Sequence, residues 1–229
     1  SRHLTSIEIN GTYYGSQKPD SFARWHDETP DDFVFSVKGP RFATNRRVLG
    51  EAGESVARFF ASGVTRLGAK LGPINWQFLP TKRFDRDDFA AFLDLLPREF
   101  DGRAIRHVVE VRHDSFRAPA FIDLLRAHGV AAVLADGGGH PQIADITAPF
   151  VYARLQGTTE AVATGYDAEA LDLWAGRARR WAAGEDVAEL DHVGAPVENA
   201  GARDVFLYII SGFKQRNPAA AMELIARLK

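Results

Sequence analysis

His107-Val108-Val109-Glu110-Val111-Arg112-His113 is an apolar run that closes on charged and titratable residues. Side chains two apart on a strand share a face, so Glu110 and Arg112 project together. A strand covered on both sides tolerates such a pair only at an open end. Two other apolar runs finish in the same way, with Glu8/Asn10 and with Arg154/Gln156. Polar groups gathered at the C-terminal ends of parallel strands mark the active-site face of a (β/α) barrel.

Working outward from that run, strands and helices alternate along the chain. Strands are expected at Thr5–Asn10, Phe33–Lys38, Leu71–Phe78, His107–Arg112, Val130–Asp136, Phe150–Gln156 and Val205–Ile210. Helices are expected near Pro19–Glu28, Glu51–Leu67, Asp85–Leu96, Pro119–His128, Ala168–Ala183 and Pro218–Leu228. Gly129 and Gly184 fit helix C-caps, Asp167 an N-cap and Pro218 a first helical turn. Leu171, Trp174, Ala178 and Trp181 follow the spacing of a core-facing stripe. Repeated strand–helix units imply a parallel sheet with right-handed crossovers. An open doubly wound sheet would concentrate polar strand ends at one switch point, whereas here they occur on almost every strand. The expected fold is therefore α/β, a TIM (β/α) barrel forming a single domain over residues 1–229. Seven strands are one short of eight, and Ser1–Leu4 reads as the tail of a helix. The first βα unit is thus expected to be missing from this sequence.

Composition narrows the function. The 229 residues carry 28 basic and 30 acidic side chains, a balance that argues against a general nucleic-acid coat or polybasic membrane anchor. No apolar run is long enough to span a bilayer, so no membrane role is expected. With no cysteine, disulfides, thiolate zinc sites and cysteine nucleophiles are excluded. A cytoplasmic location is compatible with that.

The strand ends assemble a candidate site of Glu8, Asn10, Lys38, Gln77, Glu110, Arg112, His113, Asp136, Arg154 and Gln156. So many charges must neutralise one another, face water or hold a ligand. Glu110 fits a general base or metal ligand, and Arg112 an anion clamp. The plainer alternative is a salt bridge closing the barrel mouth. His113 titrates near neutrality and otherwise reads as a hydrogen-bonded loop histidine. Lys38 could form a Schiff base or serve as a counter-ion to Glu8 or Asp136. Glu8, Glu110 and Asp136, with Asn10 or Gln77, form an oxygen-rich set that would favour Mg²⁺ or Mn²⁺ over zinc. Arg41, Arg46 and Arg47 form a basic loop suited to phosphate or a nucleic-acid backbone, with Glu51 and Glu54 diluting its charge. Gly137-Gly138-Gly139 reads as a flexible loop, with backbone amides approaching a phosphate as the weaker alternative.

At these residues the chain resembles the YecE-like family, domain of unknown function 72. The resemblance rests on Ser6-Ile7-Glu8-Ile9-Asn10-Gly11-Thr12-Tyr13-Tyr14, Phe33-Val34-Phe35-Ser36-Val37-Lys38-Gly39-Pro40, the run Leu71–Pro80, Val109–His113, Val151–Gly157 and Tyr166. It implies a TIM barrel and no established activity. Relatives carry His where Gln156 and Asn45 stand and Trp where Phe116 stands, and they open on a Gly-Trp element. Their last strand enters an Asn/Asp-rich turn, which here reads Ile210-Ser211-Gly212-Phe213-Lys214. Altered activity would follow if those positions do chemistry.

These readings together describe an enzyme acting on a small anionic substrate, phosphorylated or sugar-like, with metal-assisted hydrolysis as one expected reaction. Glu110, Glu8, His113 and Asp136 would be catalytic. Asn10, Lys38, Gln77, Arg112, Arg154 and Gln156 would bind substrate. The rivals are a non-catalytic ligand or nucleic-acid binder and a lysine Schiff-base lyase.

Overall fold

A computed structural model describes residues 3–197 and 201–229. They fall into two compact units, Ser1–Phe116 and Arg117–Lys229.

The first unit opens with strand β1 (Ser6–Ile9), the single turn α1 (Gly11–Tyr14) and helix α2 (Pro19–Asp27). Strand β2 (Val34–Lys38) is followed by the short α3 (Arg41–Thr44) and by α4 (Gly53–Ala61). Strand β3 (Leu71–Gln77) leads to α5 (Arg86–Asp94), then a hairpin of β4 (Glu99–Phe100) and β5 (Arg103–Ala104), and finally β6 (His107–Glu110). β1, β2, β3 and β6 pair in that order, all parallel. Their register sets Lys38 beside Asn75 and Gln77 beside Glu110.

Strand parity divides this sheet into two chemistries. Phe35 stacks on Trp25 of α2 with ring centroids 6.3 Å apart. Trp76 meets Phe59 of α4 at 5.8 Å and Phe92 of α5 at 5.7 Å. These residues define the helix-covered face. Ser36, Lys38, Asn75 and Gln77 lie an odd number of positions away on their strands and so project to the opposite face, and Glu110 shares it as the register partner of Gln77. Glu8 joins them there, accepting a hydrogen bond from Asn75.

The second unit contains α6 (Pro119–His128), β7 (Ala131–Asp136), β8 (Phe150–Leu155), α7 (Ala168–Ala182), β9 (Asp204–Ile209) and α8 (Asn217–Leu228). β7, β8 and β9 are parallel neighbours. Leu171, Trp174 and Trp181 of α7 are buried with Ala153 and Leu155 of β8 and Leu224 of α8 in one cluster, as the spacing of α7 implies. Asp167 caps α7 through Ala170 N at 2.8 Å. Gly129 ends α6 in the left-handed conformation, and Pro218 lies in the first turn of α8.

Seven strands were expected, and seven take part in parallel pairing, four in the first unit and three in the second. The expected helix Glu51–Leu67 is not continuous. It resolves into a 3₁₀ turn at Leu49–Ala52, then α4, then further 3₁₀ turns from Val64. The break is Gly63, whose φ of 88° no helix accommodates. The β4–β5 hairpin was not anticipated, although Asp101-Gly102 is a strong turn signal; both residues have positive φ, 51° and 70°. Ser1 and Arg2 of the expected leading helix lie outside the described residues, and His3 and Leu4 are not helical. Among the described residues no helix is long and apolar enough to cross a membrane.

Candidate functional site

In the first unit the polar strand ends converge on Glu110, which is 1% exposed. Arg112 donates to its Oε1 twice, from Nε at 2.9 Å and Nη2 at 2.7 Å. β6 ends at Glu110, so Arg112 lies just beyond the strand and its guanidinium folds back over the carboxylate. Lys38 Nζ stands 4.0 Å from Glu110 Oε2, an ion-pair distance too long for a hydrogen bond. Lys38 donates to Gln77 Oε1 and lies 5.4 Å from the centre of the Tyr13 ring. Lys38 is 3% exposed and Asn75 is fully buried. Asn75 Nδ2 donates to Glu8 Oε2 at 3.3 Å.

Each charge therefore sits where desolvation would cost several kcal/mol, roughly, without an opposite charge. Glu110 supplies it for two cations at once. The salt bridge that closes the strand end and the anion clamp are in this geometry the same atoms: Arg112 and Lys38 approach from the two oxygens of one carboxylate. His113 departs from the cluster. Its Nδ1 accepts from Ser115 N at 3.0 Å and meets Ser115 Oγ at 2.9 Å, the pattern of a hydrogen-bonded loop histidine. Asn10 is exposed at the start of α1, and its side chain makes no cap bond. The structure thus brings Glu8, Lys38, Gln77, Glu110 and Arg112 together, and leaves Asn10 and His113 on the rim.

Aromatic side chains extend this cluster toward solvent. Tyr13 and Tyr14 meet edge to face at 5.1 Å. The Arg41 guanidinium lies 5.9 Å from the Tyr14 ring and 5.5 Å from the Phe42 ring. Tyr14 and Phe42 are among the most exposed large apolar side chains.

The second unit has its own strand-end set. Asp136 ends β7 and accepts from Gln142 Nε2 at 3.4 Å. Burial raises its carboxyl above the usual carboxylate range, against the charge of Arg177 and the Gln142 bond. Gln156 N donates to Asp136 O at 2.9 Å. Gln156 Nε2 has no hydrogen-bond partner among the described residues. Gly157 N donates to the Tyr166 hydroxyl at 2.7 Å. The Tyr166 phenol is pushed up by burial, the Gly157 bond works against this, and the Asp136 charge adds to it. Arg154 is buried on β8, with Tyr208 of β9 as its register partner.

Neither Asn75 nor Tyr13 is among the site residues to which the strand-end pattern points. Parity with Gln77 carries the signal for Asn75, while Tyr13 belongs to a helical turn that no periodicity marks. His107 reads from the sequence only as part of a strand. It is buried and bridges Trp76 Nε1 at 3.0 Å and the Pro97 carbonyl at 2.8 Å. Because the indole N–H can only donate, His107 Nδ1 accepts and Nε2–H donates to Pro97. Burial drives its pKa down to about 4, opposed by the Pro97 bond.

Among the described residues no group of three or more histidine, aspartate or glutamate side chains is arranged to hold a metal. Glu110 already faces two cations, which disfavours adding a third beside it.

Comparison with known proteins decides the family. The model for "Protein of unknown function DUF72" matches residues 1–229. The chain belongs to the DUF72 family. The UPF0759 protein YecE of Escherichia coli K12 is 34% identical over 119 residues, which is 51% of this chain and 41% of YecE. The aligned part therefore spans well under half of that relative. A DUF72 family crystal structure from Thermotoga maritima superposes with a TM-score of 0.70 at 20% identity, covering 98% of this chain and 84% of that one. Another from Enterococcus faecalis gives 0.68 at 16% identity, covering 99% and 90%. This DUF72 protein has the TIM-barrel-like α/β fold expected from its strand–helix alternation.

Proposed function

We propose that this DUF72 protein is an enzyme that binds a small anionic substrate, phosphorylated or sugar-like, at the strand ends of its first unit. The observation that carries this reading is Glu110, buried and held between Arg112 and Lys38. A plug of apolar residues would close a strand end at less cost than buried charges. A function that uses the charges accounts for keeping them.

In this reading Arg112 and Lys38 grip the substrate anion, with Gln77 and Asn75 orienting Lys38 and Glu8. Glu110 holds both cations in place. Its Oε2, which Arg112 leaves to the Lys38 side, takes the substrate proton as general base. The Lys38 contacts with Gln77 and Glu110 are those of an ammonium group, which favours charge pairing over the Schiff-base role.

The test is a turnover screen against sugar phosphates and simple phosphomonoesters, followed by NMR. Wild type should convert at least one compound, and Glu110→Gln and Glu8→Gln should not, with melting curves confirming that each variant is folded at the assay temperature. Saturable binding without turnover would favour the ligand-binding rival. Turnover undiminished in folded Glu110→Gln would overturn the assignment of the base.

A further inference from the structure

A second feature of the first unit lies outside the Glu110 cluster. The segment after β2 and the segment after β3 enclose a polar cleft of about 410 Å³, lined by Thr44, Arg46, Arg47, Thr81, Lys82 and Arg83 among others. Four of its lining residues are cations and none is a carboxylate. Such a concentration is unexpected in a chain whose formal net charge is −2.

The cleft is built rather than accidental. Lys82 Nζ donates to the Arg47 carbonyl at 2.9 Å and to Asp88 Oδ2 at 2.7 Å. Asp88 Oδ1 accepts from Leu49 N at 2.6 Å and Gly50 N at 3.3 Å. One carboxylate thus ties the two walls together and neutralises one cation of the four. Glu54, expected from its position to dilute the basic loop, pairs with Arg58 instead. Arg47 and Arg83 are exposed, and among the described residues neither has an ion-pair partner. Two donors in the wall are also unsatisfied. Thr44 is 1% exposed, and neither its hydroxyl nor Arg46 Nε has a hydrogen-bond partner among the described residues. Buried donors without partners are rare and point to an absent acceptor.

We propose that this cleft is a binding site for the phosphate group of a small phosphomonoester. Several cations and unpaired donors around one concavity are the chemistry that recognises a compact dianion. A single-stranded nucleic acid would call for stacking aromatics along the groove, and the residues lining the cleft include none. The site shares no residue with the Glu110 cluster, and its test does not depend on turnover there.

The experiment is a calorimetric titration of inorganic phosphate into wild type and into Arg47→Gln/Arg83→Gln, two exposed positions whose replacement leaves the core untouched. A ten-nucleotide single strand is titrated in parallel at two salt concentrations. Removing a charge-assisted hydrogen bond at each position should weaken phosphate binding at least about tenfold in the double variant. Unchanged phosphate affinity in the double variant, or no saturable phosphate binding in wild type, would overturn the proposal. So would an oligonucleotide that binds more tightly than phosphate through these arginines with steep salt dependence.

Discussion

Acidification should destabilise this protein through His107 before most of its carboxylates are protonated. The imidazole is buried against Trp76 Nε1 and the Pro97 carbonyl, and its folded pKa is about 4. In the unfolded chain a histidine titrates near 6.5. The unfolded state therefore binds this proton more readily. The contribution of neutral His107 is complete above about pH 6.5 and is lost as pH falls toward 4. The gap of roughly 2.5 units, at about 1.36 kcal/mol each, corresponds to about 3 kcal/mol. That is a large share of the stability of an ordinary domain. The assay is urea denaturation followed by circular dichroism at several values between pH 7.5 and pH 4, on wild type and His107→Gln. Carboxylate protonation affects both proteins alike, so the difference between the two profiles isolates the histidine. Wild type should lose about 3 kcal/mol more than the variant across that range. Parallel profiles would refute the reasoning.

His192 should act with the opposite sign. Its Nδ1 faces the Leu190 carbonyl at 2.8 Å and its Nε2 faces Asp186 at 3.0 Å, two acceptors that favour the doubly protonated ring. Burial lowers its pKa, but the Asp186 and Leu190 bonds and the charges of Asp186 and Asp145 outweigh that and raise it overall. The stabilisation is complete below the unfolded pKa near 6.5 and lost as pH rises through the raised value. The melting temperature of wild type should therefore fall more than that of His192→Asn between pH 6 and pH 9, and equal falls would count against it. Glu110→Gln should destabilise by about 3–5 kcal/mol because it removes the carboxylate that faces buried Lys38 and half-buried Arg112. Glu110→Gln/Arg112→Met should cost less than the sum of the single changes in urea melts, and strict additivity would argue against the coupling. Gly63→Ala should cost about 1–3 kcal/mol, since the site has φ 88° and a Cβ would come within 2.9 Å of Pro19. A neutral melt would contradict the assignment of Gly63 as the break after α4.

Much of the scaffold was legible because strand polarity is a local property. Glu110, Lys38 and Gln77 each end an apolar run, and that alone marks each of them as a strand-end residue. Strand ends were misjudged by a residue or so. Arg112 lies beyond the strand and its guanidinium returns to Glu110, an interaction that pattern reading does not register. His113 shows the limit more sharply: the same residue type reads as a catalyst or a loop anchor, and its contacts with Ser115 are not visible in strand patterning. The pairing of Asn75 with Glu8 joins residues 67 apart in sequence, and the tie from Asp88 to the loop after β2 spans 39. Contacts of that kind depend on register between strands and on the path of loops, which no single segment encodes. The break at Gly63 was hidden for a different reason, since an isolated glycine inside an apolar pattern reads equally as a tolerated helical residue.

Anomalous diffraction from crystals soaked in tungstate, a heavy tetrahedral anion, tests the central claim most directly. The anion clamp predicts a tungsten peak placed so that the tungstate oxygens lie within hydrogen-bonding reach of both Lys38 Nζ and the Arg112 guanidinium. Crystals that bind tungstate at other positions, or nowhere, while Arg112 and Lys38 stay closed on Glu110 would show that the buried charges serve only each other. That result would contradict the account.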